Sequence, residues 1–132
     1  MKILRALILE DDILTLSKIF NTLSKIEDEL GVDFSATVLS EYTQVEKYIN
    51  KDTDNTFDLV LLDRDCKLGG SFHVLDFRKF APDKIIGISS VFQYNEDLKK
   101  HGVKKVILKE YTKLDIFAEK LYLEIKQIFG SK

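Results

Sequence analysis

Four short runs of apolar residues punctuate the chain, and each stops at a polar side chain able to do chemistry. Ala6-Leu7-Ile8-Leu9 runs into Glu10-Asp11-Asp12, and Leu59-Val60-Leu61-Leu62 into Asp63. Ile85-Ile86-Gly87-Ile88 runs into Ser89-Ser90, and Val106-Ile107-Leu108 into Lys109. A continuous apolar run of this length, bounded by polar residues, reads as a strand buried on both faces, the pattern of a parallel sheet. Residues 2–9 make the first strand and 57–62 the central one; 85–88 and 105–108 are the fourth and fifth. Phe34 to Leu39 alternates enough to be the second strand, at an edge.

Between the strands the apolar period becomes helical. Ile13, Leu16, Ile19/Phe20, Leu23, Ile26 and Leu30 predict a helix to about residue 29, with Asp12 as N-cap and Gly31 as stop. Tyr42 to Ile49 predicts a short helix with Val45, Tyr48 and Ile49 inward, followed by the polar loop Lys51-Asp52-Thr53-Asp54-Asn55. After Asp63 comes the loop Arg64-Asp65-Cys66-Lys67-Leu68-Gly69-Gly70, where the glycine pair lets backbone turn close to the site. A helix is expected from about Ser71 to Phe80, with Phe72, Leu75 and Phe80 inward and Pro82 enforcing the break. Two more helices are expected, over about 92–101 with Gly102 as terminator, and over about 113–129, burying Leu114, Phe117/Ala118, Leu121, Ile125 and Ile128.

Alternating strands and helices imply right-handed crossovers, hence an α/β parallel sheet with helices on both faces. Reactive groups in such sheets collect beyond the carboxyl ends of the strands, which is where Glu10, Asp11, Asp63, Ser89 and Lys109 stand. Two carboxylates about 4 Å apart repel by about 4 kcal/mol at an effective dielectric of about 20. A cluster of Glu10, Asp11 and Asp63 therefore calls for raised pKa values, a cation, or both. A hard, oxygen-only donor set with open positions suits Mg²⁺.

Composition narrows the class. The 132 residues suffice for one domain with its own core, and no linker or second domain is expected after Gly130-Ser131-Lys132. With 45% apolar and 32% charged residues the chain is globular rather than disordered. A net charge of −2, from 22 acids against 20 bases, supplies no bulk attraction to nucleic acid or membrane. No apolar run approaches the ~18 residues of a membrane span, and Met1-Lys2-Ile3 is strand-like rather than a signal peptide. The single cysteine, Cys66, excludes an internal disulfide and fits a reducing compartment, so a cytoplasmic location is expected. Cys66 itself reads as structural rather than redox-sensing.

The set Glu10-Asp11, Asp63, Ser89 and Lys109, in that order and over essentially the whole chain, resembles the receiver domain of two-component response regulators. The resemblance implies a flavodoxin-like sheet of order 2-1-3-4-5 and a single phosphoacceptor domain spanning residues 1–132, with no output domain and no enzymatic turnover beyond self-phosphorylation and autodephosphorylation. It implies that Asp63 is both nucleophile and Mg²⁺ ligand, Asp11 a direct ligand, Glu10 a ligand through water, and Asp65 a ligand through its backbone carbonyl. Lys109 and Ser89 would each meet a phosphoryl oxygen. A histidine kinase or histidine phosphotransfer protein would be the donor. The signal would pass to a downstream protein through the face of the last two helices, and those helices with strand five would be the surface for any homodimer.

This chain departs from the family's pattern in three places. Glu110 follows the lysine where proline is usual, Lys67 stands where proline is usual after the nucleophile, and Val106 replaces the aromatic that commonly serves as a rotating switch. Asp65 also adds a carboxylate at a position that tunes phosphoryl lifetime in this family. A second class of reading comes from Leu61-Leu62-Asp63-Arg64-Asp65, which is similar to the first motif of haloacid-dehalogenase-type phosphatases; those enzymes carry their acidic pair after the lysine, whereas Glu10-Asp11 precedes the nucleophile. A third reading is a pseudo-receiver that binds partners without phosphorylation. Lys99, Lys100, Lys104 and Lys105 read as a solvated face rather than a nucleic-acid patch, for want of interleaved aromatics. Ile116 and Leu123 fall off the inward stripe of the last helix, and His73 and His101 read as surface residues.

Overall fold

The apolar runs become five parallel strands, β1 (Lys2–Leu9), β2 (Val32–Leu39), β3 (Leu59–Leu62), β4 (Ile85–Gly87) and β5 (Lys105–Val106), joined in the order 2-1-3-4-5. The structure is a computed structural model that describes residues 2–52 and 56–130. Met1, ahead of the expected first strand, Thr53-Asp54-Asn55 of the expected polar loop, and Ser131-Lys132 lie outside the described residues. In register, Leu7 lies beside Val60 and Val60 beside Ile85, so strand ends align laterally and their last residues converge. Period-2 alternation then divides the core. Leu7, Leu9, Val60 and Leu62 face one side, while Ala6, Ile8, Leu59, Leu61 and Ile86 face the other.

Helix α1 (Ile13–Leu30) and helix α4 (Leu114–Gly130) close the second face with Ile19, Leu23, Ile26, Phe117, Leu121 and Ile125. Asp12 caps α1, its Oδ2 accepting from Thr15 N at 2.9 Å, and Gly31 ends it at φ 65°. Two expected inward positions differ: Ile13 is 74% exposed and Phe20 is also largely exposed. Ile13 and Leu14, at the start of α1, face solvent, and the apolar stripe that reaches the core begins with Leu16, partly buried, and Ile19.

On the opposite face a single turn, α2 (Tyr42–Gln44), widens into a π-wound turn, Val45–Asn50. Val45 and Ile49 are buried as expected, but Tyr48 points to solvent. Asn50, at the end of this wide turn, donates Nδ2 to Val74 O at 2.8 Å and accepts at Oδ1 from Asp76 N at 2.8 Å. Those two backbone groups belong to the segment expected to be a helix from Ser71 to Phe80. It is instead two 3₁₀ turns, Phe72–Val74 and Phe77–Lys79. Short polar side chains compete for the backbone here: Ser71 Oγ accepts from His73 N and Asp76 Oδ1 from Arg78 N. Phe72, Leu75 and Phe80 are still buried, because their inward spacing survives the change of winding. Helix α3 (Phe92–Lys99) completes this face with Leu98.

Candidate functional site

Four of the five strands, β1, β3, β4 and β5, deliver side chains to the same end of the sheet. The backbone after β1 turns so that Glu10 is wholly buried, with its Oε2 accepting from both Asp11 N and Asp12 N at 3.0 Å. Asp63 N bonds to Leu9 O at 3.0 Å, which seats Asp63 directly beside that turn. One oxygen from each of Glu10, Asp11 and Asp63 lies within 4.8 Å of the others. Lys109, fully buried, sets its ammonium 2.5 Å from Glu10 Oε1 and 3.3 Å from Asp63 Oδ2.

Burial and the neighbouring Asp63 charge push the Glu10 carboxyl up to about 7, although Lys109 pulls the other way. Burial likewise raises Asp63, opposed by Lys109 and by a hydrogen bond from Arg64 N. Burial works against the Lys109 charge, but the two carboxylates more than offset it and hold the amine protonated. The cluster thus carries excess negative charge around one cation, the electrostatic condition under which a divalent cation is welcome. Asp11 Oδ2 accepts from Lys67 N at 2.6 Å, so the loop after Asp63 is tied to the clustered Asp11 carboxylate. The donor set is all oxygen, and it fits Mg²⁺ in hardness and in charge.

Among the described residues the clustered carboxylates do not include that of Asp65, which pairs with Arg64 at 2.9 Å and is mostly exposed. The loop between is shaped by Gly69 and Gly70. Gly70 has φ 85°, and a Cβ there would meet the Tyr42 ring at 2.2 Å. Cys66 is buried, and burial pushes its thiol up to about 11, which keeps it unreactive.

Ser89 is buried at the end of β4, its Oγ accepting from Val91 N at 3.1 Å where α3 begins. Two groups escaped sequence reasoning. Asn95, in the polar stretch 93–97, is buried and bonds both backbone groups of Ser89 as well as Ile107 O. Its position three residues before the buried Leu98, on the same helix face, was the available signal. Arg64, next to Asp63 in the chain, stacks its guanidinium 4.0 Å above the Tyr94 ring. His73, expected at the surface, is partly buried instead: its ring meets Phe77 edge-on, and burial together with Arg64 and His101 lowers it to about 4. The basic patch is partly neutralised in place, with Lys99 against Glu96 and Lys100 against Asp97. Ile116 and Leu123 are both exposed. Among the described residues no helix is long and apolar enough to cross a membrane.

The doubly wound α/β sheet of order 2-1-3-4-5, with acids, a hydroxyl and an amine at its carboxyl edge, has the receiver fold of response regulators. Solved structures similar to this one carry that description. The phosphorylated cyanobacterial phytochrome response regulator RcpA matches with a TM-score of 0.68 at 19% identity, over 96% of this chain and 94% of that one. A response regulator receiver domain from Rhodospirillum rubrum matches with a TM-score of 0.67 at 16% identity, over 94% of each chain. The bacteriophytochrome response regulator RtBRR matches with a TM-score of 0.60 at 18% identity, over 89% of this chain and 76% of that one. No family model matches the sequence, and no curated protein does.

Proposed function

We propose that this chain is a phosphoacceptor switch in which Asp63 takes a phosphoryl group from a phosphohistidine donor or a small acyl phosphate. The observation that carries this reading is the position of the Asp63 carboxylate, near-buried at the end of the central strand, beside Glu10 and Asp11 and 3.3 Å from the Lys109 ammonium. An Asp63 oxygen forms the new P–O bond, the P–N or P–O bond to the donor breaks, and its electron pair leaves with the donor's imidazole or carboxylate. Such transfers depend on positioning and charge neutralisation more than on covalent chemistry by the protein. Asp11 and Asp63 would hold Mg²⁺, with Glu10 reaching it through water and Asp65 through its carbonyl. Bound there, the ion neutralises phosphoryl charge. Lys109 supplies the fixed cation for one phosphoryl oxygen, and the Ser89 hydroxyl, whose proton is free to rotate, donates to another.

A phosphatase of the haloacid-dehalogenase type would need a second carboxylate as general acid, and Asp65 is instead engaged by Arg64. We place the protein in a histidine-to-aspartate relay in the cytoplasm, with a kinase or phosphotransfer protein upstream and a protein reader downstream. The exposed Ile116 and Leu123 are candidates for self-association through α3, α4 and β5. Fluorine NMR with beryllofluoride and Mg²⁺ tests the site: one bound beryllofluoride in the wild type and none in Asp63→Asn supports the reading. Absence of binding in both would favour the pseudo-receiver, and sustained turnover of p-nitrophenyl phosphate would favour the phosphatase.

A further inference from the structure

We infer that Asn95 is a positioning residue that ties the turn bearing Ser89 to the strand end bearing Lys109, so that the two side chains respond to a phosphoryl group as one unit. The inference rests on the phosphoacceptor reading of Asp63 and adds a regulatory connection to it. Asn95 lies on α3, one turn in from the site, and only a few per cent of it is exposed. Its Oδ1 accepts from Ser89 N at 3.1 Å, and its Nδ2 donates to Ser89 O at 3.4 Å and to Ile107 O at 3.2 Å. Ser89 O also accepts from Lys109 N at 3.0 Å, which closes a ring of hydrogen bonds through Asn95, Ser89, Lys109 and Ile107. One primary amide therefore spans the ends of two strands that deliver the hydroxyl and the amine.

The packing around it is built to admit that amide. A Cβ on Gly87 would lie 3.0 Å from Asn95 Oδ1, 2.5 Å from Leu98 Cδ1 and 3.2 Å from Val106 Cγ1. The absence of a side chain at the end of β4 is what lets α3 approach closely enough for Asn95 to cross to β5. A polar group in this apolar setting is costly unless satisfied, and an amide of this kind admits two donated and two accepted bonds. Asn95 makes both donated bonds and one accepted bond, all to backbone, and the backbone groups belong to the two strand ends and to no other part of the chain. A residue needed only to fill the core would be satisfied by an apolar side chain of the same shape, as its neighbour Leu98 is. Drawing Ser89 toward a phosphoryl group on Asp63 pulls the Asn95 ring of bonds, and through Ile107 O it moves β5.

The test compares the full chain with Asn95→Leu, Asn95→Asp and Leu98→Ala, the last a core substitution on the same helix whose side chain makes no hydrogen bond to Ser89 or Ile107. Beryllofluoride with Mg²⁺ is added while backbone amides are followed by NMR, and the rate of modification by acetyl phosphate is read by intact mass. In the wild type the amides of Ser89–Val91 and of Val106–Lys109 should shift together. In Asn95→Leu the amides around Asp63 should still shift, the Val106 and Ile107 shifts should be lost, and the modification rate should fall at least about tenfold below that of Leu98→Ala. Asn95→Asp keeps the acceptor for Ser89 N and lacks the donors, so it should retain the Ser89 response and lose that of β5. Joint shifts in Asn95→Leu, with a rate no lower than in Leu98→Ala, would overturn the inference. If Asn95→Leu does not fold, Asn95→Asp decides alone, and a retained β5 response in it overturns the inference equally. A wild type that binds no beryllofluoride and takes no phosphoryl group overturns the phosphoacceptor reading itself, a different result from either.

Discussion

Replacing Lys109 by methionine removes the charge at the centre of the site while keeping an unbranched side chain of similar length. The ammonium is wholly buried, 2.5 Å from Glu10 Oε1 and 3.3 Å from Asp63 Oδ2. At an effective dielectric of about 20, Coulomb's law puts the two attractions at about 7 and about 5 kcal/mol, gross and before desolvation. The net cost is much smaller, since the orphaned carboxylates take up protons instead of staying charged. Breaking a buried pair by removing one partner costs about 3–5 kcal/mol, and that is the loss expected for Lys109→Met at pH 7.5. Its pH dependence follows from the direction of the carboxylate shifts. Glu10 and Asp63 are already raised in the fold, and without the cation they rise further. A carboxyl whose folded pKa exceeds its unfolded value binds more protons when folded, so the variant loses stability as pH rises from about 4.5 toward and beyond 7. Urea unfolding of both proteins at pH 5 and 7.5 measures this. The deficit should be several kcal/mol at pH 7.5, clearly smaller at pH 5, and partly repaired by Mg²⁺. A variant as stable as the wild type at pH 7.5, or a deficit independent of pH, would refute the charge argument.

His73 supplies an opposite pH dependence. Its folded pKa is depressed from 6.5 to about 4 by burial, by Arg64 and by His101, against Asp97 and Asp65, so stability should be lost as pH falls from about 6.5 to 4. The full shift corresponds to about 3 kcal/mol, which solvent screening at a partly buried ring brings to about 1–2; the loss should be absent in His73→Phe when the two unfolding curves are compared across that range. Asp11→Ala should weaken Mg²⁺ binding in a calorimetric titration, whereas Asp12→Ala should leave it nearly unchanged and cost about 0.5–2 kcal/mol of stability through the lost α1 cap. Equal Mg²⁺ affinities in the two variants would count against Asp11 as a ligand.

The strand ends were legible because a strand buried on both faces must be apolar until it leaves the sheet, and the first polar residue then marks the edge. That is why Glu10, Asp63 and Ser89 stood out in the sequence; Lys109 follows β5, a half-buried edge strand, and stood out only as the end of an apolar run. The segment from Ser71 to Phe80 was misread for an equally physical reason. Phe72, Leu75 and Phe80 keep inward spacing in either winding, and the backbone is held by Ser71 and Asp76 locally and by Asn50, a residue distant in sequence that satisfies Val74 O and Asp76 N. Tyr48 sits on a widened turn, so a stripe counted at 3.6 residues drifts off the core before reaching it. Asn95 had only its spacing from Leu98 to mark it in a polar neighbourhood, because a buried amide and an exposed one are the same letter. Glu10 was legible as an acid at the site, but its role of holding Lys109 depends on side chains from beyond the ends of β1 and β5 meeting across the ends of β3 and β4, which only the folded sheet creates.

Intact mass of the wild type and of Asp63→Asn, after incubation with acetyl phosphate and Mg²⁺, tests the central claim most directly. The account predicts one added phosphoryl group on the wild type, lost on chelating Mg²⁺ before the donor is added, and none on Asp63→Asn. An unmodified wild type at saturating donor, or an Asp63→Asn variant that gains the same mass, would contradict it.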